Sequence, residues 1–264
     1  MELHTKILLY VSYFSVLVPI FFLFREKQNF TSLTVPVLKA LGLLLFISAF
    51  SDLVCYTLSK MGRSHLVVSN SYIIAQFFLL SYIYSVLLKN KMPVYVGFIL
   101  FIGFISLNTL YIQAFTEFQS WTRVAGSLIF SYYSILYYIQ HIKQINTKIP
   151  ITSEVSVQNL QESRKLYESI FNPTTYSNFL INSAVSLYFM MNLGLFLIID
   201  YTIKNEPPEI AMLSWSYHNG VNIIKNVLFA AAIYQAGRKA VYDWSKKDSA
   251  NADEIPSSNQ INAF

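Results

Sequence analysis

The stretch AMLSWSYHNGVNIIKNVLFAAAIYQA, residues 211–236, is long enough to cross a bilayer, whose core of about 30 Å takes about 20 residues of helix. Its middle is polar: His218, Asn219, Asn222, Lys225 and Asn226 interrupt the apolar run. Positions 218, 222 and 226 are spaced i, i+4, i+8, with 219 and 225 flanking them, so the polar groups form one stripe on a helix. Val221, Ile224, Leu228 and Ala231 make up the opposite side. Turned toward lipid, the stripe would leave a cation and several amides unsatisfied, so it is expected to face other helices or a water-filled cavity. That stripe is the expected seat of function.

The composition places the whole chain in the same class. Hydrophobic residues are 54% of the total and charged residues only 12%, against about 25% in ordinary soluble domains, and the mean hydropathy is +0.43. A net charge of +5 does not indicate nucleic acid here, because the basic residues lie between apolar runs rather than in one patch. The lone cysteine, Cys55, sits inside an apolar run and supports neither a disulfide nor a thiolate metal site.

Taken in order, the apolar runs predict an all-α bundle of seven transmembrane helices. The first, 7–24, ends in phenylalanines before Arg25 instead of a small-residue cleavage site, so it reads as a retained span, kinked toward its C-terminal end by Pro19. The second, 40–58, contains Asp52, the only acid well inside an apolar run, and the third, 66–88, carries Asn70 and Gln76. Pro93 opens the fourth, 94–113. The fifth, 121–141, crowds Tyr132, Tyr133, Tyr137 and Tyr138 together, so some of them must hydrogen-bond inside the bundle. The sixth is 179–199 and the seventh 211–236. The longest polar connection, 143–175, includes QNLQESRKLYESIF at 158–171, whose spacing suits a linker or a helix lying on the membrane surface. These spans make residues 1–240 one membrane domain, followed by a flexible tail at 241–264 whose composition cannot form a core.

Orientation follows from the Lys and Arg residues outside the apolar runs. With the N-terminus outside, 13 of the 19 fall in cytoplasmic segments and five in external ones, Arg123 among the latter, with Lys225 left over inside its span. The bias selects an external N-terminus and a cytoplasmic C-terminus, which an odd number of spans requires. Asn70, Asn108, Asn182 and Asn192 are expected to bond helix to helix, each worth about 0.6 kcal/mol. Trp121, Trp215 and Trp244 are expected to anchor the interface.

Residues His218, Asn219, Asn222, Lys225 and Asn226 spell HN..N..KN before an aliphatic helix end, and FNPTTYSNFLINSAVSLYF precedes the sixth span. In these residues and in architecture the chain resembles the seven-helix membrane domains of bacterial signalling proteins. That resemblance implies sensing or signal relay at a cell membrane, a bacterial inner membrane in the first instance. The chain departs from such proteins in carrying no kinase or cyclase output domain, so it would act through a separate cytoplasmic or membrane partner protein. Microbial rhodopsins also place a lysine where Lys225 stands, but the carboxylate-rich third helix and the Trp and Pro signature of the sixth are missing. The histidine cluster of seven-helix zinc hydrolases is absent too, since His4, His65, His141 and His218 are far apart in sequence.

Three function classes follow: a sensor or relay subunit, a small-solute or proton-coupled transporter, and a structural protein. No enzyme activity and no cofactor are expected; the lipid bilayer is the expected surroundings. Measured from the cytoplasmic helix ends, Asp52 and Lys225 both lie about 17 Å deep, and Gln76 reaches the same level. With the second and seventh helices as neighbours, Asp52, Gln76, His218, Asn219, Asn222, Lys225 and Asn226 are expected to form one polar core or ligand pocket.

Overall fold

The computed structural model describes residues 3–30, 34–148 and 173–253, and the regular structure among them is entirely helical. Helices α1 (Leu3–Ser15) and α2 (Leu17–Glu26), continued by a 3-10 turn at Lys27–Asn29, make one interrupted rod. Then come α3 (Val35–Lys60), α4 (Leu66–Leu87), α5 (Met92–Tyr111), α6 (Ser120–Lys148), α7 (Pro173–Asn205) and α8 (Pro208–Asp253). Pro36, Pro93, Pro173 and Pro208 open four of them, where the N–H that proline lacks would have no helical partner anyway. Helix α3 stops at Gly62, whose φ of 67° suits glycine. There Gly62 N–H donates to the Ser59 carbonyl and Arg63 N–H to that of Leu58, closing the helix end.

Among the described residues, five segments have the length and apolar composition to cross a membrane: Leu3–Asn29, Val35–Lys60, Leu66–Leu87, Met92–Tyr111 and Thr174–Ile199. The molecule is a helical membrane protein. Helices α6 and α8 are not among the five, and their sequences explain why. Four tyrosines and Arg123 dilute the hydropathy of α6, and the polar stripe dilutes that of α8. The polar tail expected from 241 is helical as far as Asp253, as a direct continuation of α8. The segment 158–171, read above as a linker or surface helix, lies outside the described residues.

The kink of the first rod comes earlier than expected from Pro19. The helix is interrupted at Val16, between Ser15 and Leu17. Pro19 supplies no N–H for the carbonyl four residues back, that of Ser15, and its ring crowds that carbonyl, so the break falls one turn before the proline. The Ser15 hydroxyl, at the break, donates to the Ser12 carbonyl at 2.7 Å.

Helix neighbours follow chain order around the bundle: α3 on α4, α4 on α5 and α6, α5 on α6, α6 on α7, and α7 on α8. The α1–α2 rod closes the circuit by packing on both α3 and α8. The second and seventh spans also face each other, across a small cavity lined by Leu44, Leu45 and Ser48 of α3 and by Lys225 and Phe229 of α8. Large apolar side chains point outward on every helix, for example Phe14, Leu53, Val67, Ile99, Leu128, Ile198 and Val227. Asn70, Asn108, Asn182, Asn192, Ser127 and Ser134 are buried. In water this would be inside out; in hydrocarbon it leaves the polar atoms to satisfy one another.

The core joins α4, α6 and α7 at Tyr84, whose hydroxyl donates to Asn182 Oδ1 at 2.8 Å and lies 2.6 Å from Ser134 Oγ. Around it Phe77 stacks on Phe101 with ring centroids 3.6 Å apart, and Phe130 packs between Phe77 and Phe189. The crowded tyrosines of α6 divide as their chemistry requires. Tyr133 donates to the Val94 carbonyl at 3.1 Å and Tyr138 lies 3.0 Å from Ser183 Oγ, while Tyr132 faces outward. Tyr133 passes so close to Gly97 that a Cβ there would displace it, which is why α5 carries glycine at that point.

Candidate functional site

The polar stripe of α8 faces into the bundle and divides between two partners. Toward the first rod, Asn222 Nδ2 donates to Ser12 Oγ at 3.1 Å and Asn226 Nδ2 to Ser15 Oγ at 2.8 Å. The second bond lands on the helix break that Pro19 creates, so a backbone discontinuity in α1–α2 is tied to α8 by a side chain. Toward α7, His218 Nδ1 lies 2.9 Å from Asn192 Oδ1, and Asn192 Nδ2 donates to the Tyr188 carbonyl at 2.8 Å. An amide oxygen only accepts, so His218 Nδ1 carries the proton in this arrangement. The imidazole is edged by Trp215, Tyr188 and Phe196. Trp215, read from sequence as an interface anchor, is half-buried between His218 and Phe118. Asn219 is half-buried and takes no part in these bonds.

Lys225 is 7% exposed and its Nζ lies 4.4 Å from the centroid of the Tyr188 ring. A desolvated ammonium over an aromatic face is stabilised by about 2 kcal/mol. Beside it is a cavity of about 10 Å³, the size of one water molecule, whose polar walls are Ser48, Tyr72, Gln76, Tyr188 and Lys225. Gln76 also lines a second small cavity, of about 20 Å³, together with Arg123 and Tyr188. Gln76 and Lys225 therefore meet at one level.

Asp52 lies at the margin of that cluster. It is close enough to Lys225 to interact electrostatically, yet the two do not pair within 4.0 Å; Arg25 and Glu26, 3.4 Å apart, form an ion pair elsewhere. The carboxyl lines a groove on the outside of α1 and α3. A cycle of Asp52→Asn, Lys225→Met and the double variant, scored by thermal unfolding in detergent, should give a coupling below about 1 kcal/mol, since the charges do not touch. A coupling of 2 kcal/mol or more would mean that they close into a direct pair.

Arg123 belongs to the site and was read from sequence as an external topology residue. One turn into α6, its guanidinium donates from Nη2 to Ser69 Oγ at 2.8 Å and lies over the rings of Phe118 (4.6 Å) and Phe196 (5.7 Å). Its Nε is buried without a hydrogen-bond partner. The signal was its spacing: Arg123, Ser127, Phe130, Ser134 and Tyr137 run along one helical face, and all but the half-buried Arg123 are buried. Tyr188 is the other omission, since it is the residue that meets both Lys225 and His218.

In the α5–α6 connection, next to the start of α6, lies an amide network. Asn108 Nδ2 donates to Gln119 Oε1 (2.5 Å) and Thr122 Oγ1 (3.0 Å), and Gln119 Nε2 donates to the carbonyls of Gln113 and Ala114. Asn70 Nδ2 reaches from α4 to the carbonyls of Phe115 and Glu117, both at 2.7 Å. Asn182 and Asn192 bond helix to helix as expected, but Asn70 instead pins a loop.

Among the described residues, Lys225 and Arg123 are thus held inside the bundle against aromatic faces, with Asp52 at its edge. Among the described residues no three His, Cys, Asp or Glu side chains gather as a metal site. No protein-family model matches the chain, and no curated protein or solved structure matches it either.

Proposed function

We propose that this chain is a seven-helix membrane sensor or relay subunit, with an external N-terminus and a cytoplasmic C-terminus in a cell membrane, acting through a separate partner protein. The observation that carries this reading is the double attachment of α8. The same helix that holds Lys225 against Tyr188 is bonded through Asn226 to the break in the first rod and through His218 to α7, and it runs unbroken to Asp253. A change in the contacts of Lys225 would shift a rod about 69 Å long, at 1.5 Å per residue, which is more than twice the thickness of a bilayer core. That is a means of carrying a local change out of the membrane.

Seven spans are supported by the outward apolar faces of α6 and α8, where Leu128, Ile135, Ile224 and Val227 are exposed although the helices fall short on mean composition. The transporter reading draws less support, because the cavities beside Lys225 and Gln76 are of water size. The same shortage of space beside Lys225 disfavours retinal.

Reporter fusions after Lys247 and within the loop 60–65 are expected on opposite sides of the membrane; finding both on one side would remove the seven-span topology. The relay reading is tested by co-purification with the full chain and with one ending before Tyr242. A partner that binds the full chain and is lost on truncation is expected. An unchanged set of partners would show that the outer end of α8 relays nothing.

A further inference from the structure

The groove that holds Asp52 has features that the bundle core lacks. It measures about 630 Å³, against about 10 and 20 Å³ for the internal cavities, and it lies between α1 and α3 on the face turned to lipid. Its walls are apolar and aromatic, with Phe46 and Ala49 of α3 among them, and Asp52 is the one charged residue in the lining. Three tyrosines, Tyr10, Tyr13 and Tyr56, share that lining, and Tyr13 and Tyr56 meet edge to face at 6.3 Å. The Tyr56 ring already accepts a cation, for Lys60 Nζ lies 5.6 Å from its centroid.

A carboxyl at membrane depth is unfavourable unless it meets a counter-charge, and Asp52 is half-buried at the groove wall, with Lys225 near enough to attract it but not to pair with it. Within the bundle no cation comes within ion-pair distance of Asp52 among the described residues. A carboxylate sharing a groove with tyrosine rings is the chemistry that recognises substituted ammonium groups, which prefer aromatic faces because they are bulky and weakly hydrated. The remaining walls suit an alkyl chain. From Phe46 to Tyr56 the groove follows α3 for about 15 Å, at 1.5 Å per residue, enough for a medium-length chain lying along it.

We infer that the groove between α1 and α3 binds a membrane-partitioned amphiphilic amine, its ammonium group against Asp52, Tyr13 and Tyr56 and its alkyl chain along Phe46 and Ala49. Access is sideways from the bilayer, since the groove opens on the lipid face. The binding does not depend on the relay reading.

The test uses the full chain in phosphatidylcholine nanodiscs with radiolabelled decyltrimethylammonium as probe, measured against its uncharged carbon isostere. Saturable binding at one site per chain is expected for the cation and not for the isostere. Asp52→Asn should weaken it about tenfold or more, the loss of a desolvated charge partner. Tyr13→Leu should weaken it several-fold, and Ala49→Leu, which fills the groove and leaves the charge in place, should abolish it. Circular dichroism of each variant establishes that it folds. Equal binding of the cation and the isostere would reduce the groove to a seat for any lipid chain and overturn the inference. Undiminished binding to folded Asp52→Asn or Ala49→Leu would overturn it as well.

Discussion

Lys225→Glu is expected to destabilise the bundle by at least about 3 kcal/mol, whereas Lys225→Met should leave its stability unchanged or raise it by about 1 kcal/mol. The difference follows from the ring beneath the ammonium. The face of Tyr188 is the negative side of its quadrupole and attracts the cation 4.4 Å away, worth about 2 kcal/mol in a desolvated site. A buried lysine carries a penalty of about 2.5 to 3.5 kcal/mol at membrane depth. Methionine removes both contributions, and their difference is the predicted gain of about 1 kcal/mol. A carboxylate keeps the burial penalty, turns the ring attraction into repulsion and adds a second negative group near Asp52. Thermal unfolding of the three proteins in one detergent checks the order. If Met proves more damaging than Glu, the Tyr188 ring is not what holds Lys225. A neutral or stabilising Met substitution would also show that the lysine is not kept for stability, which favours a functional reason for its presence.

Asn108→Ala should lower stability by about 2 kcal/mol, and its effect should be concentrated in the connection between α5 and α6. The substitution deletes two buried donations, to Gln119 and Thr122, each worth about 1 kcal/mol net. It leaves Gln119 Oε1 with only the Thr122 hydroxyl as donor. Losing Asn108 Oδ1, which is buried and without a hydrogen-bond partner, offsets part of the penalty, so the estimate stays near the lower end for a broken network. Gln119 orders the loop through its bonds to the carbonyls of Gln113 and Ala114, so a loosened Gln119 should release them. Hydrogen exchange at residues 113–119 should rise more than exchange in α7. Uniform change across the helices would mean that Asn108 supports the bundle as a whole rather than this loop.

The sequence by itself determined that the molecule is helical and membrane-embedded, and it located the five apolar helices long enough to cross a bilayer. Runs such as 40–58 and 66–88 become α3 and α4 with nearly the expected limits, because helix is the only way an apolar segment can satisfy its own backbone in lipid. It also determined that the stripe of α8 faces inward, since i, i+4 spacing puts His218, Asn222 and Asn226 on one side whatever their partners are. Shared depth brought Gln76 and Lys225 to one cavity for the same reason, the fixed rise of a helix. Only the tertiary structure decided the partners. Spacing along one helix says nothing of which helix lies opposite, so Ser12 and Ser15 of the first rod, Asn192 of α7 and the Tyr188 ring were not legible. Arg123 was misread because a basic residue near a span end can turn out to water or in over aromatic rings, and a count of charges is blind to that choice. Asp52 and Lys225 share a level but do not close into an ion pair, since depth is a property of one helix, whereas azimuth is set by the packing of all of them.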